Sequence, residues 1–265
     1  MQIQSAYYKP KKKKKNLKPF LWIITSLLVM LGLIYLALFL PFLKIRKVEA
    51  NGTEKIPSFE IINSVERYLA GFQLIKIPKS NYFLLSEKKL AEYLKNAFPG
   101  LKEVLVIKKF PPNLIISAKD RQKTIVYCGQ VQCFYLDEDG VSFEPAPAIF
   151  GGLNSALKDN SGREAKFGDK MIEPALINFM LAAQKLINDD SNINLVNFEI
   201  DNYPTIDLNA KTSEDWKIMF DINIDPLSQV SALKKILGDK IKDQRGQLEY
   251  IDLRIGNRVY YKMKQ

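Results

Sequence analysis

The sequence lacks the side chain on which most nucleophilic and metal chemistry depends. None of the 265 residues is histidine, which excludes Ser-His-Asp and Cys-His nucleophile systems and every His-ligated metal site. Carboxylates are plentiful, but none lies in a paired or glycine-framed motif of the kind that acid–base hydrolysis uses. We therefore predict no enzymatic activity, no cofactor and no small-molecule substrate. A hydrolase that depends on Asp/Glu pairs is the weaker alternative.

An acidic segment, Asp137-Glu138-Asp139-Gly140, raises the question of calcium. A calcium loop needs the spacing D-x-[DN]-x-[DN]-G and a glutamate six residues after the glycine. Here Gly140 directly follows Asp139, and Glu144 comes too early. We therefore predict a hairpin turn and no metal site.

The two cysteines, Cys128 and Cys133, flank a short turn between two strand-like runs. Opposed positions on paired strands can bring the Cα atoms within the roughly 4.4–6.8 Å that a disulfide requires. A C-x4-C pair without further ligands cannot complete a tetrahedral zinc site, and the spacing differs from that of a CxxC redox motif. Oxidation is permitted outside the cytoplasm, so we predict a structural disulfide, with two reduced cysteines as the alternative.

An uncharged apolar stretch of 24 residues extends from Phe20 to Leu43. A helix rises about 1.5 Å per residue, so about 20 apolar residues cross the roughly 30 Å hydrocarbon core of a bilayer. We predict a single transmembrane helix over residues 19–43. A cleaved signal peptide is disfavoured because its apolar region is shorter and ends in small residues. A buried core helix rarely lacks polar residues on every face.

The tail of residues 1–18 carries most of the net charge. It holds seven lysines and no acidic residue, whereas the net charge of the whole chain is +10, so the rest carries only +3. Lysine-rich flanks stay in the cytoplasm. We predict a cytoplasmic tail and an extracytoplasmic segment of residues 44–265. Binding of nucleic acid or anionic lipid by the lysines is the alternative to a solvated tail that sets topology.

The segment of residues 44–121 alternates between strand and helix patterns, punctuated by an Asn-Gly turn and by serines at the starts of two amphipathic helices. The predicted elements are a strand at 44–50, helices beginning at Ser58 and Ser86, and strands at 104–110 and 114–119. The order strand, helix, helix, strand, strand predicts a small α+β domain.

The segment of residues 122–265 predicts a second α+β domain with a mostly antiparallel sheet. Residues 151–170 are rich in Gly, Asn, Lys and Asp and predict a loop. The predicted elements are strands at 124–128, 133–136, 195–200, 205–210, 216–221, 248–254 and 258–261, with helices at 174–188 and 225–241.

Several motif pieces resemble the FtsQ/DivIB family of bacterial cell-division proteins. They are Val48-Glu49-Ala50-Asn51-Gly52, Phe98-Pro99, the run from Lys108 to Ile116, Asp120-Arg121, and Tyr250-Ile251-Asp252-Leu253-Arg254. The resemblance implies a POTRA domain over residues 44–121 and an FtsQ-like domain over residues 122–265, whose sheet extends the POTRA sheet.

The same resemblance implies a scaffold without catalytic activity that links early and late division proteins at the septum. FtsB-like and FtsL-like single-pass partners would add a strand to the last strands of the chain, and other divisome proteins would bind the POTRA domain. The positions that match the family's binding edge are Arg254, Ile255, Asn257, Val259, Tyr260 and Tyr261. Arg254 is expected to pair with a partner carboxylate and the apolar residues to anchor the partner.

The alternative function is that of a POTRA-bearing envelope or secretion assembly factor that binds unfolded chains. Such a protein would share the first α+β domain but would not need the Tyr-Ile-Asp-Leu-Arg segment near the C-terminus.

Overall fold

The computed structural model describes residues 18–72, 78–148, 155–190, 193–256 and 258–264. The α-helices in these ranges are α1 (Lys18–Phe39), α2 (Ser58–Leu69), α3 (Glu87–Ala97), α4 (Pro174–Asp190) and α5 (Pro226–Ile236). The strands are β1 (Lys47–Asn51), β2 (Leu101–Lys109), β3 (Asn113–Asp120), β4 (Ile125–Cys128), β5 (Cys133–Leu136), β6 (Ser142–Ala146), β7 (Ala156–Asp159), β8 (Leu195–Ile200), β9 (Asp207–Thr212), β10 (Lys217–Asp221), β11 (Leu248–Asp252) and β12 (Tyr260–Met263).

Helix α1 overlaps most of the apolar stretch, but the prediction of a transmembrane helix over residues 19–43 is wrong. Among the described residues, no helix is both long enough and apolar enough to cross a membrane. Of the predicted tail, residues 1–17 lie outside the described ranges.

The first module (residues 47–120) is a three-stranded sheet with α2 and α3 packed on one face. Strand β3 is central, parallel to β1 and antiparallel to β2. Buried and less buried residues alternate along β3, as expected for a sheet with one covered face. The core includes Ile61, Val65, Leu90, Leu94, Leu101, Leu114 and Ile116. Burying each large aliphatic side chain contributes roughly 1.5–3 kcal/mol.

Local signals set the boundaries of this module. The Ser86 hydroxyl caps α3 by accepting the Lys89 N–H at 3.3 Å, as predicted. Ser58, by contrast, is the first helical residue of α2. The cap position is occupied by Pro57, which makes no side-chain cap hydrogen bond. The turn after β1 requires Gly52, because its φ is 90° and a Cβ would lie 2.4 Å from the carbonyl oxygen of Ala118.

The second module (residues 125–263) is built on a nine-stranded sheet of order β12-β11-β10-β9-β8-β7-β4-β5-β6. The pairs β4–β7, β7–β8 and β10–β11 are parallel, and the others are antiparallel. Helix α4 connects β7 to β8, and α5 connects β10 to β11, as parallel neighbours require a crossover. Helix α5 continues into a π-helical turn, Leu237–Ile241, and a 3-10 segment, Lys242–Gln247.

The two helices of the second module cover one face of its sheet. The core between them contains Tyr127, Leu157, Ile177, Met180, Phe198, Trp216, Ile218, Phe220, Leu233 and Ile251. These sheet residues share one face because adjacent strands are in register, as with Ile218 opposite both Ala210 and Ile251.

Three expectations about the sheets are wrong. The two modules form separate sheets, so the second does not extend the first. The large sheet is mixed, because the crossovers through α4 and α5 make neighbouring strands parallel. Strand β7 lies within residues 151–170, which were predicted to be a loop. Its four residues are stabilised by strands distant in the sequence rather than by local propensity.

Candidate functional site

The C-terminal strand β12 forms one end of the nine-stranded sheet. It pairs antiparallel with β11, with Tyr260 opposite Asp252 and Tyr261 opposite Ile251. Within the described ranges, no strand pairs with its other side. An edge of this kind presents unpaired N–H and C=O groups to an incoming chain. The segment predicted to bind partners therefore ends in an open sheet edge.

A backbone hydrogen bond identifies the amides of β12 that face the open edge. The Lys264 N–H donates to the Gln247 carbonyl at 2.6 Å, on the β11 side. Because hydrogen-bonding groups alternate in direction along an antiparallel strand, the N–H of Lys262 also faces β11. The N–H groups of Tyr261 and Met263 consequently face the open edge.

Three apolar side chains of the predicted site are open to solvent: Ile255 is 49% exposed, Tyr260 47% and Tyr261 44%. Val259 is half-buried and packs against the core of the second module. Asn257 lies outside the described residues. The two tyrosines are consecutive in β12, so their rings lie on opposite faces of the sheet. An added strand would therefore meet one ring on each face.

The guanidinium of Arg254 is engaged within the chain. Its Nε and Nη2 donate to the two carboxylate oxygens of Asp252 at 2.9 and 2.7 Å, and its Nη1 donates to Asp207 at 3.1 Å. The bonds from Arg254 hold the pKa of Asp252 below its usual range, although partial burial acts in the opposite direction. Arg254 thus fixes the turn after β11, and this pairing competes with the expected contact to a partner carboxylate.

Cys128 and Cys133 form a disulfide bond across the β4–β5 hairpin. They are directly opposite in register, and their Cα atoms are 4.0 Å apart. The hairpin is closed by the Gly129 N–H, which donates to the Gln132 carbonyl at 3.1 Å. Both cysteines are buried, so the bond is enclosed in the sheet rather than displayed for exchange.

The acidic turn between β5 and β6 is held by groups of the protein itself. Asp137 Oδ1 accepts the backbone N–H of Asp139 at 3.1 Å and that of Val141 at 2.9 Å, and its other oxygen pairs with Arg121. In the described part of the chain, no group of three or more His, Cys, Asp or Glu side chains could hold a metal ion. Asp137 thus holds the turn through hydrogen bonds and an ion pair within the chain.

Asp159 is the centre of a buried polar cluster in the second module. It accepts the Tyr127 hydroxyl at 2.5 Å, the Ser161 N–H at 2.8 Å and Arg163 Nη2 at 2.6 Å. The Arg163 guanidinium also lies 3.8 Å from the centre of the Tyr203 ring. Burial, together with the hydrogen bond to Asp159, raises the pKa of Tyr127. All these donors bind the same carboxylate, and the bond from Tyr127 links β4 to β7.

Two features of the structure were not predicted from the sequence. The ion pair between Asp207 and Arg254 joins residues 47 positions apart, and nothing in their spacing signals it. A cleft of about 280 Å³ lies between the two modules, and its lining includes Lys55, Phe98, Phe143 and Phe167. Both features depend on how distant segments meet, which local patterns do not encode.

Neither protein-family models nor curated proteins match this sequence. The fold and the site define a class only: an α+β protein with two mixed sheets and an open C-terminal strand edge. A function for this chain must therefore be argued from that edge.

Proposed function

We propose that this protein is a non-catalytic scaffold of the FtsQ/DivIB type that acts in septum assembly during bacterial cell division. The observation that carries the proposal is β12, an edge strand with outward amides and exposed tyrosines. This strand begins six residues after Arg254, the last residue of the Tyr250–Arg254 segment on which the resemblance rests. FtsB-like and FtsL-like single-pass proteins would supply the strand that pairs with it.

The first module supports the same proposal. Its chain order, β1-α2-α3-β2-β3, is the one expected of a POTRA domain from the motif pieces. In the proposed scaffold this module binds other divisome proteins, while β12 binds the late-acting pair. The two surfaces lie on separate sheets, so two kinds of partner can be held by one chain.

The disulfide between Cys128 and Cys133 supports an extracytoplasmic location for the second module, because such bonds persist mainly in oxidising compartments. We place residues 44–265 on the extracytoplasmic side of the bacterial cell membrane, at the division septum. There the β12 edge would meet the extracytoplasmic segments of its partners.

The binding mechanism is main-chain pairing with side-chain selection. The Tyr261 and Met263 amides supply hydrogen bonds that any extended chain can accept, and the exposed tyrosine rings select apolar partners. Lys262 lies between Tyr261 and Met263 in β12, and its ammonium is 2.8 Å from the Glu249 carboxylate. A charged residue within an edge strand limits pairing with unrelated strands.

The substitution Tyr261→Pro tests this mechanism. Proline is tolerated on an edge strand where its nitrogen faces solvent, so β12 keeps its ladder with β11 but loses an outward donor. We expect the affinity-tagged full chain to fold and to recover at least roughly tenfold less of the small single-pass partners, because a main-chain hydrogen bond and close approach are both lost. Mass spectrometry of material captured from membrane extract of the source cell measures the recovery.

Matched variants separate the roles of backbone and side chain. Tyr261→Ala keeps the amide and should lose less binding than Tyr261→Pro, whereas Ile255→Asp with Tyr260→Asp should abolish capture. Val131→Asp changes a residue that is 83% exposed on the β4–β5 hairpin and serves as the control. Undiminished capture by a folded Tyr261→Pro protein would refute the binding edge. Recovery of diverse unfolded envelope proteins, unaffected by the proline, would favour the assembly-factor alternative.

A further inference from the structure

The first module has a second open edge, unrelated to β12. Strand β2, the longest strand of the small sheet, pairs with β3 alone among the described strands. Helices α2 and α3 cover one face of this sheet, and no described segment packs over Leu105 and Ile107 on the other face. That open face and the β2 edge form a continuous surface, here called the β2 edge surface: Glu103, Leu105, Ile107 and Lys109.

The β2 edge surface has an apolar centre between two charges of opposite sign. Leu105 is 59% exposed and Ile107 is 42% exposed, although both are large aliphatic residues. Glu103 precedes them and Lys109 follows them, each two residues away and each exposed on the same face. Exposed aliphatic residues beside an unpaired edge are a feature that soluble sheets usually avoid.

We propose that a second copy of this chain binds here, by antiparallel pairing of the two β2 strands about a two-fold axis at Val106. In this register Leu105 faces Ile107 of the partner subunit, and Ile107 faces Leu105 of the partner subunit. Glu103 then faces Lys109 of the partner subunit, and the two-fold axis repeats that ion pair on the other side. Apolar cross-strand pairs and opposite charges both stabilise such a ladder.

The neighbouring registers do not give this complementarity. An axis at Leu105 would place Glu103 opposite Ile107 of the partner subunit, and an axis at Ile107 would place Leu105 opposite Lys109 of the partner subunit. Because side chains alternate with a period of two, only the axis at Val106 matches all four members of the β2 edge surface. The strand's own sequence is therefore self-complementary in one register.

The proposed pairing lies beyond the contact that β2 makes with the second module. The contact between the modules at the start of β2 is made by Lys102, whose ammonium pairs with Glu138 and lies 3.3 Å from Asp139. The proposed ladder spans residues 103–109 and stops short of that contact. The combined sheet would have six strands, three from each copy.

Charge swaps test the register without altering the core. Glu103→Lys places two lysine pairs across the axis and Lys109→Glu places two glutamate pairs there, so each single variant should dimerise roughly tenfold more weakly. The double variant E103K/K109E restores both ion pairs and should dimerise like the wild type. An equimolar mixture of the two single variants should also form dimers, since every facing pair is then opposite in sign.

Sedimentation velocity of the full chain in mild detergent, over a concentration series, measures the dimerisation. The wild type should approach twice its 30.4 kDa chain mass. Helix α1 is identical in every variant, so any association through it is common to all. Glu92→Lys and Lys88→Glu, which make the same charge changes on the exposed side of α3, are the matched controls and should behave like the wild type.

Cross-linking provides an independent measure of the register. Leu105→Cys and Ile107→Cys proteins, mixed, should form a disulfide-linked dimer under mild oxidation, whereas neither should do so efficiently alone. A wild type that stays monomeric at every concentration would overturn the proposal. Dimers that persist equally in both single charge variants, or cross-links that form equally in the unmixed cysteine variants, would overturn it as well.

Discussion

Asp159 of β7 links its strand to β4 through a buried hydrogen bond with Tyr127. Its carboxylate is buried, yet it accepts bonds from a hydroxyl, a backbone amide and a guanidinium on β4 and the loop after β7. Removing one partner of a buried pair leaves the other uncompensated, which typically costs about 3–5 kcal/mol. We expect Asp159→Asn to lower the free energy of unfolding by about 3 kcal/mol, measured by chemical denaturation near neutral pH.

The same residue should make stability depend on pH. Burial raises the pKa of Asp159, but the bonds from Ser161, Tyr127 and Arg163 outweigh burial and leave it below the usual value. A depressed pKa means that the unfolded chain takes up the proton first. The stabilisation is therefore complete above the unfolded pKa of about 3.9 and is lost as pH falls below it.

The direction of this pH dependence can be checked by unfolding the wild type and Asp159→Asn at a series of pH values from neutral to strongly acidic. The difference in stability between the two proteins should shrink as the pH falls. Asp239→Asn, at an exposed position, is the control and should leave the wild-type profile unchanged. A difference that stays constant down to the lowest pH would show that the loss comes from packing rather than from charge.

At the scale of elements, the β4–β5 hairpin is held by both its ladder and its disulfide. The bond between Cys128 and Cys133 closes a short loop, with a sequence separation of 5. The loop-closure model gives a stabilisation of about 2 kcal/mol for so short a loop. We expect the Cys128→Ala/Cys133→Ala protein to lose about that amount, measured by denaturant unfolding. The wild type in reductant should approach the midpoint of the double variant. Equal midpoints for the oxidised wild type, the reduced wild type and the double variant would contradict this estimate.

Elements with strong local signals could be predicted from the sequence. Helix α3 has an apolar face at helical spacing and a serine cap, and the β4–β5 hairpin has its own turn, so each is specified within a short window. Strand β7 could not be predicted in the same way. Its neighbours β4 and β8 are parallel to it and distant in the sequence, so its pairing is a tertiary effect.

Some residues of the candidate site could also be predicted from the sequence, and others could not. Ile255, Tyr260 and Tyr261 were predicted from the resemblance alone; all three are exposed in the structure, the tyrosines on β12 and Ile255 in the turn before it. The second partner of Arg254, Asp207, could not be predicted, because it reaches Arg254 through the β9–β10–β11 pairing. Residues whose role depends on strand order need the structure.

At the scale of the whole molecule, the two modules share no strand, so their coupling depends on a small junction. Arg121 lies at its centre: its Nε donates to the Pro99 carbonyl at 3.0 Å, and its Nη1 pairs with Asp137. The Lys55 ammonium lies 5.9 Å from the centre of the Phe143 ring across the same junction. The proposed scaffold, with binding edges on two sheets, needs such a junction to fix the distance between its partners.

Replacing Arg121 should uncouple the modules. The Asp137 side chain is only 1% exposed, so Arg121→Ala leaves a buried carboxylate without its cation, at a cost of about 3 kcal/mol or more. We expect the wild-type chain to unfold in one calorimetric transition and the variant in two, with the second module unfolding at the lower temperature. Arg67→Ala, which removes an exposed arginine from α2, should leave one transition. One unshifted transition in Arg121→Ala would mean that the modules are coupled elsewhere, and the cleft beside Phe143 and Phe167 would then be the place to test.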